Sequence, residues 1–413
     1  MTNKNSINVN GRTYSWPQKP LVVICLDGSE PAYTDEARKR GLMPNLERVI
    51  KKGGEYRAHS VVPSFTNPNN LSIATGRPPE IHGICGNYLI DPDTGLETMM
   101  NDPKWLRAPT IFAEFQKAGA RILMVTAKDK LRLLLSKGLV YDGSAIAFSS
   151  EKADKATRAE NGIDNPCAQW SMALPDVYSA DLSEFVFAAG VKLIPEFQPD
   201  ITYLSTTDFI QHKYGPTEKG ALDFYAMFDS YVGQLDALGV TLIVTADHGM
   251  NDKHLSNGEP DVLYLQDDLD VAFGEGKTKV ILPITDPYVV HHGALGSYAA
   301  IYTYGADPKA VTKHLATLEG MDAVLEKAEA CARFGLPPDR TGDVIAVSGG
   351  KNKSKVIGTS RSKHDLSGLD VPLRSHGGLT EQTVPFFINT KSATLPEGLR
   401  NFDAYFVGCS AAE

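Results

Sequence analysis

Four short stretches of the chain are almost continuously apolar and rich in β-branched residues: LVVICL at 21–26, RILMVTA at 121–127, ITYLSTT at 201–207 and TLIVTA at 241–246. A strand with one wet face alternates apolar and polar residues, whereas a strand covered on both faces reads as a continuous apolar run. Helix-like patterns separate these runs. MPNLERVIKKGG at 43–54 ends in glycine, PTIFAEFQKAG precedes the second run, LSEFVFAAGVKLIPEF precedes the third, and ALDFYAMFDSYVGQLDAL precedes the fourth. The alternation predicts an α/β fold with a mostly parallel sheet sandwiched by helices.

The texture changes after residue 260. Segments 278–284, 297–304, 321–326 and 342–348 read as strands, with a helix over 307–318. They predict a smaller α+β insertion over 265–345. The chain returns at RSHGGLTEQTVPFFINT, 374–390, as a loop followed by a core strand. The main domain therefore comprises 1–264 and 346–413, and the Gly-, Ser- and Lys-rich stretch 349–368 is expected to be a surface loop.

Polar residues fall where the apolar runs end. Asp27 follows the first, Lys128 and Lys130 the second, Asp208 the third, and Asp247 with His248 the fourth. Ligands of open α/β sheets bind outside the carboxyl ends of the strands. One strand-end aspartate is commonly a turn residue; four charged strand ends with two histidines point to a site. Asp208 and His212 are spaced i, i+4, on one face of a helical turn, and a carboxylate with an imidazole suits a divalent transition metal. Gly249 after His248 is expected to permit a sharp turn. His376-Gly377-Gly378 adds an imidazole ahead of the returning strand, which favours it over the cluster His291-His292-Gly293. His59, His82, His254, His314 and His364 read as structural or surface residues, His254 being nearest the site.

Thr66, in SFTNPNNLSIATG, is expected to cap a helix, with Pro68 near its first position. The same place favours negative charge on its oxygen, so Thr66 is also a candidate nucleophile. Lys128 and Lys130 reach one cleft together if the chain there is extended, and would hold a second anionic group on a compact substrate.

Composition narrows the setting. The chain has 413 residues, 42% hydrophobic and 22% charged, with net charge −9, which argues against nucleic acid as a bulk partner. Five widely spaced cysteines without a CxxC argue against a disulfide framework or a thiolate metal site. The N-terminal stretch lacks an apolar core, and no apolar run is long enough to span a bilayer, so the expected setting is cytoplasmic, with no membrane partner. A homodimer is compatible with the sequence, which does not fix the assembly.

In order and spacing, Asp27-Gly28, Thr66-Asn67-Pro68, Gly83 with Asn87, Asp208-x3-His212, Asp247-His248-Gly249 and His376-Gly377-Gly378 resemble the alkaline phosphatase superfamily, in its nucleotide pyrophosphatase/phosphodiesterase branch. The resemblance covers roughly 20–260 and 370–390, about two-thirds of the chain. It implies one zinc ion bound by Asp27, Asp247, His248 and the Thr66 oxygen, and a second bound by Asp208, His212 and His376. It further implies a phospho-threonine intermediate on Thr66 and a hydrogen bond from Asn87 to a phosphoryl oxygen. The lysine pair, the length and the insertion are similar to the phosphonoacetate hydrolases. That likeness implies hydrolysis of the C–P bond of phosphonoacetate, a small anionic phosphonate, to acetate and phosphate, with the insertion as a cap. The alternatives are a nucleotide phosphodiesterase or pyrophosphatase, a phosphomutase that releases no free phosphate, and a metal-dependent binding protein without turnover. A sulfatase would need a Cys or Ser nucleophile in a short motif ending in Arg, which the Ser64–Pro68 segment lacks.

Overall fold

Seven strands form the central sheet in the order Gly54–His59, Thr383–Ile388, Thr241–Thr245, Leu21–Cys25, Ile201–Ser205, Ile122–Thr126 and Ala145–Ser149. The last five are mutually parallel, and Thr383–Ile388 runs antiparallel to both its neighbours. The computed structural model describes residues 6–285, 294–364, 366, 369, 371–391 and 395–411. The histidine cluster 291–293 therefore lies outside the described residues.

Leu21–Cys25 shows why the apolar runs are continuous. Leu21, Val23 and Cys25 enter one hydrophobic cluster, and Val22, Ile24 and Leu26 enter another on the opposite face. Successive side chains of a strand point to opposite sides, so a strand covered on both sides needs apolar residues throughout. Helices Pro44–Lys52, Asp181–Phe197 and Lys219–Ala237 cover one face; Thr66–Thr75, Ile111–Lys117 and Ala404–Cys409 cover the other. All five cysteines are buried and free. No helix among the described residues is long and apolar enough to cross a membrane.

Two strands of the sheet were not legible as strands. Gly54–His59 is an edge strand, largely solvated, and its GEYRAH sequence carries no apolar run. Ala145–Ser149 is buried at every position but is short and alanine-rich, so its pattern is weak.

The insertion holds a four-stranded antiparallel sheet in the order Thr278–Ile281, Tyr298–Thr303, Val344–Ser348 and Met321–Glu326. Strand Val344–Ser348 runs across position 345, the expected end of the insertion. Val280, Ile301, Leu325 and Val347 join the same hydrophobic cluster as Val23 and Phe65, so the inserted sheet packs onto one face of the main domain. The chain enters and leaves the insertion side by side, through a parallel pairing of Val262–Tyr264 with Val356–Gly358. This corrects the expected surface loop over 349–368: Val356 and Ile357 are fully buried, because pairing at the base of the insertion removes them from water.

A buried carboxylate ties two helices together. Asp229, inside Lys219–Ala237, accepts from the backbone N–H groups of Asn45 (3.0 Å) and Leu46 (2.7 Å) at the start of Pro44–Lys52. It thereby replaces the side-chain cap that Met43 cannot provide. Asp229→Ala is expected to cost about 2 kcal/mol, from a lost cap and buried N–H groups left without an acceptor. Urea unfolding at matched metal content checks this; an unchanged midpoint would show that water replaces the carboxylate.

Candidate active site

Strand register builds the site. Thr245, Cys25, Ser205, Thr126 and Ser149 form one row across the five parallel strands. Two residues beyond that row stand Asp247, Asp27, Lys128 and Glu151, and Asp208 stands three beyond Ser205. Neighbouring strands are about 4.8 Å apart, so Asp27 is delivered between Asp208 and Asp247. Gly28 allows the turn that follows: its φ is +70°, and a Cβ there would lie 2.8 Å from Asp208 Cβ.

Two groups of potential metal ligands result. Asp208, His212 and His376 form one; Asp27, Asp208 and His248 form the other; within each, the ligand atoms lie within 4.8 Å of one another. Asp208 is common to both. His212 Nε2 is 2.9 Å from Asp208 Oδ2, and His248 Nε2 is 3.3 Å from Asp27 Oδ1. Asp247 takes a different place: Oδ1 accepts from the N–H groups of Gly28 (3.2 Å) and His248 (3.0 Å), while Oδ2 lies 3.7 Å from His248 Nε2.

The three imidazoles are oriented alike. The Nδ1 atoms of His212, His248 and His376 lie 2.8, 2.9 and 2.8 Å from the backbone oxygens of Arg374, Gly249 and Ser64. A carbonyl only accepts, so each Nδ1 carries the proton and each Nε2 presents a lone pair, and the carbonyl fixes the ring as it does in metal-binding histidines. Burial, together with His248 and His212, holds His376 far below the usual histidine range, in the neutral form that binds metal. Burial and the charges of Asp247 and Asp208 push Asp27 well above the carboxylate range, and Asp27 Oδ1 has no hydrogen-bond partner among the described residues. Crowded, buried carboxylates with an orphaned oxygen beside imidazole lone pairs fit divalent cations.

Thr66 is the first residue of helix Thr66–Thr75, not its cap; Phe65 holds the cap position with extended backbone (φ −119°, ψ 158°). The threonine hydroxyl lies 3.3 Å from His248 Nε2. Pro68 accordingly sits at the third helical position. Behind these loops a fully buried ion pair joins Lys253 to Glu381 (2.9 Å). Glu381 also accepts from Asn251 Nδ2 (2.8 Å) and Gly378 N (3.0 Å), and its backbone oxygen accepts from Gly249 N (2.8 Å). It thus binds the 247–251 loop to the 376–378 loop. Gly249 is required for space, not for a left-handed turn: a Cβ there would come within 2.8 Å of Glu30 Oε2.

The ligand groups open into a cleft of ≈ 430 Å³ whose lining includes Thr66, Asn87, Lys128 and Lys130. The lysines reach it by a route other than the expected extended chain. Lys128 is the extended residue preceding helix Asp129–Leu135, and Lys130 is inside the helix's first turn. Asn87 Oδ1 is buried without a hydrogen-bond partner among the described residues. Sequence reasoning missed Asn67, Asn101, Glu151, Tyr178 and Thr206 in the lining. Glu151 obeys the strand-end rule that marks Asp27, but its strand went unrecognised. It caps the lysine helix by accepting from Asp129 N (2.8 Å). Thr206 Oγ1 accepts from Asp27 N (2.9 Å). Of the remaining histidines, His82 is fully buried on Ser72 (2.9 Å), His314 pairs with Asp268 (2.6 Å), and His254 bonds the adjacent Leu255 oxygen (2.8 Å).

Residues 21–355 match the profile of type I phosphodiesterases / nucleotide pyrophosphatases. The structure is similar to phosphonoacetate hydrolase from Sinorhizobium meliloti 1021, solved in complex with phosphonoacetate and with phosphonoformate, at 59% identity and TM-score 0.95 over 99% of this chain and 100% of that one. Murine ectonucleotide pyrophosphatase / phosphodiesterase 5 shares the fold, at 18% identity and TM-score 0.62 over 94% and 93% of the two chains. Human ectonucleotide pyrophosphatase/phosphodiesterase family member 1 is 28% identical over 255 residues, 56% of this chain and 23% of that protein. A bis(5'-adenosyl)-triphosphatase of Xenopus laevis is 27% identical over 289 residues, 64% and 55% of the two. The chain thus spans about a quarter to a half of the length of these curated relatives.

Because Asp208 belongs to both ligand groups, Asp208→Ala should remove more bound metal than His212→Ala, which belongs to one. Metal content after dialysis reads the difference; equal losses would show that Asp208 serves a single ion.

Proposed function

Since the chain belongs to the type I phosphodiesterase / nucleotide pyrophosphatase family, we propose that it is the member that hydrolyses phosphonoacetate to acetate and phosphate. The observation that carries this is the cleft itself: Thr66 and the carboxylate–imidazole cluster line it together with Lys128 and Lys130. A compact substrate with a phosphoryl group at one end and a carboxylate at the other matches that division of charge. The likeness to a phosphonoacetate hydrolase at 59% identity over the whole chain supports the same substrate.

In this reading Asp27, Asp247 and His248 with the Thr66 oxygen would hold one zinc ion, and Asp208, His212 and His376 a second, with Asp208 close enough to Asp27 and His248 to support the first as well. Two such ions supply Lewis-acid charge for the phosphoryl oxygens and the attacking and leaving groups. Thr66 Oγ1 attacks phosphorus in line. The start of helix Thr66–Thr75 favours the negative charge on that oxygen. Asn87 donates to a phosphoryl oxygen. The P–C bond breaks with its electron pair on the departing carbon, and that charge spreads into the carboxylate held by Lys128 and Lys130. The carbon takes a proton, giving acetate. Water then cleaves the phospho-threonine, releasing phosphate and restoring the hydroxyl. The insertion, 265–345, acts as the cap of the cleft.

Thr66→Ala should abolish phosphate release and leave metal content unchanged; retained turnover would remove Thr66 as nucleophile. Lys128→Met and Lys130→Met should each lower kcat/KM for phosphonoacetate by about 10- to 100-fold, the loss of a charge-assisted hydrogen bond. The same variants should change cleavage of an aryl phosphate without a carboxylate far less. Fast cleavage of a nucleotide phosphodiester with no phosphate from phosphonoacetate would overturn the substrate and favour a nucleotide phosphodiesterase.

A further inference from the structure

We infer that Asn70 is a positioning residue that fixes Thr66 and Asp247 relative to each other, an inference that rests on the roles proposed above for those two residues. Asn70 is fully buried, one helical turn after Thr66. Its amide nitrogen donates to the Thr66 backbone oxygen and to Asp247 Oδ2, both at 3.0 Å. Its amide oxygen accepts from Tyr203 Oη (2.7 Å) and Ser205 Oγ (3.1 Å). The amide cannot be turned round, because the Thr66 carbonyl only accepts and must face the NH₂ group.

One planar group therefore joins three parts of the site. It holds the first turn of the helix that carries Thr66. It holds Asp247 at the end of strand Thr241–Thr245. It is held in turn by strand Ile201–Ser205, which leads to Asp208. With Gly28 N and His248 N on the other oxygen, Asp247 receives three N–H donors that set the plane of its carboxylate. The preceding residue makes a useful contrast. Asn69 is equally buried, yet it bonds Val61, Pro63, Phe65 and Asn401 and touches no ligand side chain. Asn69 serves the loop, whereas Asn70 spans the reacting groups. Tyr203 and Ser205 read in sequence as ordinary positions of a buried strand, and their hydroxyls are accounted for by this one amide.

The test compares zinc-loaded wild type with Asn70→Ala and Asn70→Asp. Asn70→Asp keeps shape and the acceptor for Tyr203 and Ser205, but sets an oxygen against the Thr66 carbonyl and Asp247. Both variants should bind Zn²⁺ about 10- to 100-fold more weakly in competition with a chelator, the usual effect of losing an outer partner of a metal ligand. At saturating Zn²⁺, kcat for phosphate release from phosphonoacetate should fall about 10- to 100-fold with KM nearly unchanged, because misplaced reacting groups affect the chemical step and not the lysine contacts. Wild-type zinc affinity and kcat in either folded variant would overturn the inference and reduce Asn70 to a packing residue. If Asn70→Ala fails to fold, the near-isosteric Asn70→Asp decides by the same two measurements. If wild type itself releases no phosphate, the proposed substrate falls, while zinc competition still decides Asn70: weaker binding supports the inference and unchanged binding overturns it.

Discussion

Buried negative charge is the constraint from which the rest of the molecule follows. Asp27 and Asp247 are buried, Asp208 is nearly so, and all three stand together at the end of one sheet. Burial and mutual repulsion raise Asp27, and three carboxylates in that position are costly unless positive charge compensates them. The protein's own contribution is imidazole: His212, His248 and His376 are held by backbone carbonyls with Nε2 turned inward. Such a set is poor as a self-contained core and well suited to divalent cations.

Holding that set requires rigid supports, and the fold supplies them in layers. The level register of Thr245, Cys25 and Ser205 brings the aspartates to one height. The Lys253–Glu381 pair fastens the loops of His248 and His376 to each other. Breaking a buried pair by removing one partner typically costs about 3–5 kcal/mol, so these loops are tied far more firmly than surface loops. The inserted sheet shares its hydrophobic cluster with the strand face below it and with Phe65, the residue before Thr66.

The cleft is also lined by positive charge. Lys128 and Lys130 straddle the start of a helix that Glu151 caps, so their backbone is fixed although their side chains are long. The proposed substrate, a small carboxylated phosphonate, would suit a cleft of ≈ 430 Å³ lined by charged groups of both signs.

Strand identity and strand ends were legible in the sequence because each depends on local pattern. A strand buried on both faces must be apolar throughout, and the first polar residue after it must be at the sheet's edge. Asp27, Lys128, Asp208 and Asp247 were found that way. Ala145–Ser149 was not, since five small or apolar residues carry too weak a pattern, and Glu151 was lost with it. Thr66 shows the opposite limit: its local sequence reads as a helix cap, and only the approach of His248 from a strand end 182 residues away turns its hydroxyl to the cleft. Asn70, Lys253 and Glu381 lay beyond reach for the same reason, because nothing local distinguishes a buried amide or ion pair until the chain has closed around it. Sequence determined which residue types arrive at the edge of the sheet. Tertiary structure decided which of them meet, because hydrogen-bond partners far apart along the chain are chosen by register and packing.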